Sequence, residues 1–135
     1  MSERGGASLP MLGVVGLLVL AGLGIADMGR FLALRSQAAA GADAAALAAA
    51  PVTFLPFGAA AGPVAEAARF ARANGVRLLS CRCSIIRAPV AREVEVVVGA
   101  TTTLVFLGTV EVRAASRAQF DPRALVGIVP HPAGR

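Results

Sequence analysis

Few side chains in this chain are placed to do chemistry. Cys81 and Cys83 are its only cysteines, separated by Arg82. On a strand that spacing puts both thiols on one face and Arg82 on the other. Three fates are open to them. They can join in a small, strained disulfide, which would be easily reduced and so open to a redox role. They can remain two buried thiols, or one can pair with another chain. Two thiolates and a single distant His131 fall short of the four ligands of a zinc site. His131 lies between Pro130 and Pro132, and no Ser-His-Asp or Cys-His set can be assembled around it. Glu93 and Glu95 share a strand face with Arg92 near its start, and have the residue types of a glycosidase pair. Their alternation with valines instead describes the solvated face of a half-buried sheet. Asp27 and Arg30, three apart, can pair on one helix face. No phosphate-binding glycine loop, GxGxxG or HExxH is present. The sequence therefore offers no catalytic, cofactor-binding or metal-binding residue, no cofactor, and no enzyme activity.

The elements that would position these residues begin with an anchor. The chain has 135 residues, enough for one small domain, and is 56% hydrophobic with a mean hydropathy of +0.71. That exceeds the apolar share of a soluble domain. Trp and Tyr are absent, so alanine and valine must supply the apolar mass. The net charge is +5 and all 13 basic residues are arginine, spread from Arg4 to Arg135 without a cluster or interleaved aromatics. This is not the footprint of a nucleic-acid groove, and no nucleic-acid partner is expected.

Gly5 to Ala26 carries no charge. Ser8 can cap a helix there, and Pro10 falls in the first turn, where its missing N–H does little harm. Leu9 to Ala26 spans roughly 27 Å as a helix, against a hydrocarbon core of about 30 Å. This predicts a membrane-spanning helix over 9–26, with Arg30 able to snorkel to the interface. A cleaved signal peptide ending at Gly24-Ile25-Ala26 is the competing reading, although its apolar region would be unusually long. Flanking charge leaves orientation open, with Arg4 and the amino terminus on one side and Arg30 and Arg35 on the other.

The helical pattern continues past the apolar run. Asp27 to Ala50 holds no proline and is rich in alanine, so one long helix is expected, ended by Pro51. Its alanine surface would let another helix approach closely. Pro51 to Gly62 reads as a loop. A second helix runs from Pro63 to Asn74, with Val64, Ala67, Ala68 and Ala71 on its apolar face and Asn74-Gly75 as its stop. Strands follow at Val76 to Ser84, Arg92 to about Ala100, and Val110 to Phe120. The stretch Thr101 to Thr109 can extend the last two through a turn near Gly108. A three-stranded antiparallel meander results, with Val94, Val96 and Val98 expected to pack on the second helix. Asp121 to Arg135 holds three prolines and reads as a loose tail.

The order of these features resembles a known family. An Arg-Gly start, an apolar helix, Asp27-Met28-Gly29-Arg30, and then Arg35-Ser36-Gln37-Ala38 through Ala48 are similar to the TadE/TadG-like proteins of bacterial Flp-type tight-adherence pilus systems. The short actinobacterial type is the most similar, since it also carries an A-N-G-A-R-L-x-x-C stretch. Here that stretch reads Ala73-Asn74-Gly75-Val76-Arg77-Leu78-Leu79-Ser80-Cys81. The resemblance implies a pilin-like role, with a cytoplasmic N-terminus and a small head outside. It also implies prepilin-type cleavage after Gly5 or Gly6. Two departures stand out. Pilins carry a Glu shortly after the cut, where this chain has Leu9, Pro10 and Met11. Relatives often have a further cysteine before the second helix, where this chain has Ala60-Ala61-Gly62-Pro63, so no bridge across the head is expected.

Together these readings predict an α+β, pilin-like fold. Residues 1–8 form a cytoplasmic N-terminus, 9–26 the membrane helix, 27–50 its extension, 51–120 the extracytoplasmic head and 121–135 a flexible tail. The expected role is a non-enzymatic, membrane-anchored component of a pilus or secretion apparatus in the cell membrane. Its partners would be the lipid bilayer and other pilin-like or secretion-apparatus membrane proteins. The alternative is a small membrane-tethered or secreted binding module with no filament role.

Overall fold

A computed structural model describes residues 8–58 and 60–125. The fold is α+β: a long N-terminal helix, a short second helix and a three-stranded antiparallel sheet. Helix α1 runs unbroken over Ser8–Val52, 45 residues or about 67 Å. It is the one described helix long and apolar enough to cross a membrane. Its two halves live in different surroundings. Every residue from 10 to 26 is exposed, and Asp27 is the first buried one. From Leu34 onward, Ala38, Ala42, Ala45, Ala46 and Ala49 are fully enclosed in the core.

Pro51 does not end α1 as the sequence reading supposed. It sits inside the last turn, where its missing N–H removes one bond near a terminus that is closing anyway. Thr53 makes the stop. Its hydroxyl donates to the Ala50 carbonyl at 2.6 Å, and its N–H to the same oxygen at 3.3 Å. One turn of 3-10 helix, Leu55–Phe57, follows.

Helix α2, Gly62–Ala73, begins with a buried Pro63 and stops at Asn74. The Asn74 side chain donates to the Phe70 carbonyl at 2.9 Å, and Gly75 takes a φ of 72°. The Asn-Gly pair thus closes the helix in the left-handed conformation that glycine adopts freely.

The sheet is a meander in the order β1-β2-β3, with β1 at Arg77–Arg82, β2 at Arg92–Leu104 and β3 at Gly108–Phe120. Strands β2 and β3 pair without a break from Arg92↔Phe120 to Leu104↔Gly108, so the Thr101–Thr109 stretch does extend both through a turn. The turn is Val105-Phe106-Leu107, closed by Gly108 at φ 68°. A bulge at Leu79 interrupts β1, with Leu78 opposite Val98 and Ser80 opposite Val97. The extra residue shifts the parity of the strand, so Leu78 and Cys81, three apart, both lie against the core.

The core valines Val94, Val96 and Val98 do not pack on α2 as expected. Strands β2 and β3 lie along α1, and α2 lies on α1 and beside β1. Ala67 and Ala71 are buried in that helix pair, Ala68 is half-buried, and Val64 is exposed. The physical reason is length and size. Only α1 is long enough to underlie 13-residue strands, and its alanines leave room for a layer of valine side chains. The alanine-rich half of α1 is thus largely consumed within the chain rather than left free for another helix. Gly41 shows how close the packing is: a Cβ there would stand 2.5 Å from Val76 Cγ2.

The described part of the expected tail is ordered at its start. A single helical turn, Pro122–Leu125, follows β3, with Pro122 buried and the Asp121 carboxylate accepting the Arg123 N–H at 3.0 Å. Residues 126–135, and His131 with them, lie outside the described residues.

Candidate functional site at the helix–hairpin junction

The hairpin of β2 and β3 returns along α1 and meets it at Asp27. The Asp27 Oδ1 accepts the backbone N–H of Val105 at 3.0 Å, and Oδ2 accepts that of Phe106 at 3.0 Å. Two donors at a hairpin tip, left without ladder partners, are thereby satisfied by one carboxylate. Those two hydrogen bonds hold the Asp27 carboxyl below the ordinary aspartate range, and Arg30 adds a smaller push in the same direction. Arg30 Nη1 is 4.0 Å from Asp27 Oδ1. The helix-face pairing read from the i,i+3 spacing is therefore the lesser interaction of this carboxylate.

Below the carboxylate a groove of about 360 Å³ lies between the hairpin tip and the helix. Gly24, Met28 and Phe31 form one wall, and Leu104, Phe106 and Leu107 the other. Its lining is apolar apart from Asp27, so it offers contact area for hydrocarbon and no acid–base chemistry. Nothing in the sequence of β2 or β3 announces this junction. The available signal was Asp27 itself, a carboxylate ending an uncharged run, whose partner had to be donors from a distant segment.

At the opposite end of the sheet, Arg92 is buried on the core face rather than sharing the outer face with Glu93 and Glu95. Its guanidinium donates to the carbonyls of Thr53 at 3.0 Å, Ile86 at 2.8 Å, Val90 at 3.1 Å, and Ala88. It also lies over the Phe54 ring, 5.2 Å from its centroid. A planar fork with five donors can gather the carbonyls of an irregular loop in this way. Arg92 thus ties the β1–β2 connection to the end of α1, a role that its place at the start of a strand did not suggest.

The outer face of the sheet is ionic. Glu95 stands between Arg82 at 3.0 Å and Arg117 at 3.6 Å, and Glu93 is 3.5 Å from Arg117. Both carboxylates are engaged with arginines on an open surface, which leaves neither poised as a general acid. Cys81 and Cys83 are half-buried against the core while Arg82 points outward. The structure joins the two cysteines as a disulfide, with Cα atoms 5.4 Å apart, and Cys83 lies just past the end of β1. Of the fates left open by the spacing, this is the intramolecular one, within one strand end rather than across the head. No group of His, Cys, Asp and Glu suited to a metal ion occurs among the described residues. Gly5 and Gly6 lie outside them.

The helix is where similarity to known proteins is found. Residues 5–65 match the Flp pilus-assembly TadE/G-like family. The TadE/G-like segment takes in α1, the 3-10 turn and the first residues of α2, and so includes both Asp27 and the enclosed alanines. It stops before the Ala73–Cys81 stretch and before the whole sheet. No curated protein and no solved structure matches the chain. The match thus covers the helix, and the sheet and its hairpin tip lie beyond it.

Proposed function

We propose that this chain is a membrane-anchored, pilin-like structural component of a pilus or secretion apparatus, with its head on the extracytoplasmic side. The observation that carries this reading is the division of α1 at Asp27. Residues 10–26 of the helix are uniformly exposed and apolar, and the part after Asp27 is clothed by the sheet and α2. A bare apolar helix of about 25 Å is costly in water and matches the hydrocarbon thickness of a bilayer. The TadE/G-like match over this same segment supports placing it in pilus assembly. The role is structural rather than enzymatic, with other pilin-like or secretion-apparatus membrane proteins as partners. Maturation by a prepilin-type peptidase after Gly5 or Gly6 belongs to the same reading.

Two measurements test it. Leu17→Arg with Leu20→Arg costs about 3 kcal/mol of insertion free energy per arginine, so the double variant is expected to leave the membrane fraction. Its recovery there at wild-type levels overturns the anchor. A reporter fused after Arg117 is expected to be active only outside the cytoplasm, and activity confined to the cytoplasm overturns the orientation and the pilin-like role.

A further inference from the structure

We infer that the β2–β3 hairpin tip, Val105-Phe106-Leu107, is a second membrane contact that enters the leaflet on the head's side beside α1. The inference rests on the anchoring of α1 proposed above. Its first support is length. From Arg92 to Leu104 a strand covers about 40 Å. From Asp27 to the end of α1 the helix covers about 38 Å. Arg92 bonds the Thr53 carbonyl at one end, and Asp27 receives the tip N–H groups at the other. The hairpin therefore measures out the clothed half of α1 and ends where the bare half begins.

The second support is the chemistry of the tip. Three consecutive apolar side chains are 57%, 53% and 73% exposed, at a position where hairpins usually place Gly, Asn or Asp. Met28, which walls the same groove from α1, is also apolar and exposed. Two backbone donors of the turn are already answered, because Asp27 takes the N–H groups of Val105 and Phe106. Satisfying backbone donors within the protein lowers the cost of bringing a hairpin tip to the edge of the hydrocarbon, where water is scarce. The groove walled by Gly24, Met28, Phe31, Phe106 and Leu107 is continuous with the exposed apolar surface of residues 10–26. Its occupant is then an acyl chain of the same leaflet that surrounds that surface. Two contacts, helix and tip, would fix the tilt of the head on the bilayer, which a single helix leaves free.

The absence of Trp and Tyr provides a clean test, since one introduced tryptophan is the only strong fluorophore. Phe106→Trp, Leu17→Trp and Leu47→Trp are each placed in the full chain. The proteins are reconstituted in phosphatidylcholine–phosphatidylglycerol vesicles with or without brominated acyl chains. The tip should sit about 5–10 Å into the headgroup–acyl boundary. Emission from Phe106→Trp is therefore expected to shift to the blue and to be quenched by shallow bromines. Leu17→Trp should be quenched by deep bromines, and Leu47→Trp, on the exposed face of the clothed half, should not be quenched. Quenching at Leu17 without quenching at Phe106 overturns the tip contact and leaves the anchor standing. Quenching at neither removes the anchor and the tip contact together. A blue shift at Phe106 that depends on protein-to-lipid ratio and resists bromine means that a second protein copy covers the tip, which also overturns the inference. Quenching at Leu47 equal to that at Phe106 means that the whole head lies in lipid, and the specific role of the tip falls.

Discussion

The Asp27 carboxylate and the Phe106 backbone N–H, 79 positions apart in sequence, meet at 3.0 Å. The bond closes the hairpin onto the helix at the boundary between its bare and clothed halves. The carboxylate engages the tip with both oxygens, the second bond going to Val105.

Asp27→Asn is expected to loosen the tip, because an amide presents one acceptor where two N–H groups need one each. Amide hydrogen exchange at Val105 and Phe106 should accelerate while exchange in the paired strand around Val96 stays unchanged. Equal protection at the tip in wild type and variant would show that the carboxylate does not hold it.

The same contact predicts a dependence on acid. The folded Asp27 carboxyl titrates below its unfolded value, held there first by the Val105 and Phe106 N–H groups. Its stabilising contribution is therefore complete above the ordinary aspartate value of about 3.9 and is lost as pH falls through the lower folded value. Amide chemical shifts of Val105 and Phe106 should hold steady through neutral and mildly acidic pH. They should move only below that ordinary value. A midpoint above it would contradict the geometry.

Arg92→Met removes the donors that gather the Thr53, Ile86, Ala88 and Val90 carbonyls, while keeping an apolar stem of similar length. The Thr53 and Ala88 carbonyls keep the N–H groups of Ile86 and Val90, but the Ile86 and Val90 carbonyls are left unanswered at about 1–3 kcal/mol each, so the head should lose about 2 kcal/mol or more by denaturant unfolding. Glu95→Ala, on the solvated face, should cost about 1 kcal/mol or less. Similar losses for the two would deny Arg92 its role as a clamp.

Gly41→Val should destabilise the packing of α1 against the α2–β1 connection, since even a Cβ reaches 2.5 Å from Val76 Cγ2. Overpacking of this kind costs about 1–3 kcal/mol. Adding Val76→Ala should recover part of the loss, giving a non-additive double-mutant cycle. Additive losses would mean that the two positions do not meet.

For Cys81 and Cys83, intact mass under non-reducing conditions should be that of a monomer two hydrogens lighter than the reduced chain. Two free thiols, or a dimer linked through one cysteine, would contradict the joined pair seen in the structure.

Much of this fold was legible in one dimension because its signals are local. An uncharged run from Gly5 to Ala26, an alanine-rich continuation, Asn74-Gly75 as a stop and the Val–Glu alternation of residues 93–98 each depend on neighbours in the chain. Periodicity and capping turn such neighbours directly into helix, terminus and strand. The meander order followed, because short connections leave antiparallel neighbours as the simplest arrangement.

What the tertiary structure alone decided was which surfaces meet. Alternation told that Val94, Val96 and Val98 share a face, yet not that the face would cover α1 rather than α2, since both helices offer alanine. The choice came from matching lengths in three dimensions. The bulge at Leu79 was equally hidden, because one unpaired residue leaves no mark in the pattern of types. Asp27 and Arg92 were visible only as charges, one at the end of an uncharged run and one at a strand start. Their tasks are set by backbone groups from far along the chain. Backbone N–H and C=O groups are the same in every non-proline residue, so the partners of a carboxylate or a guanidinium cannot be read from side-chain identity and appear only when the chain has folded.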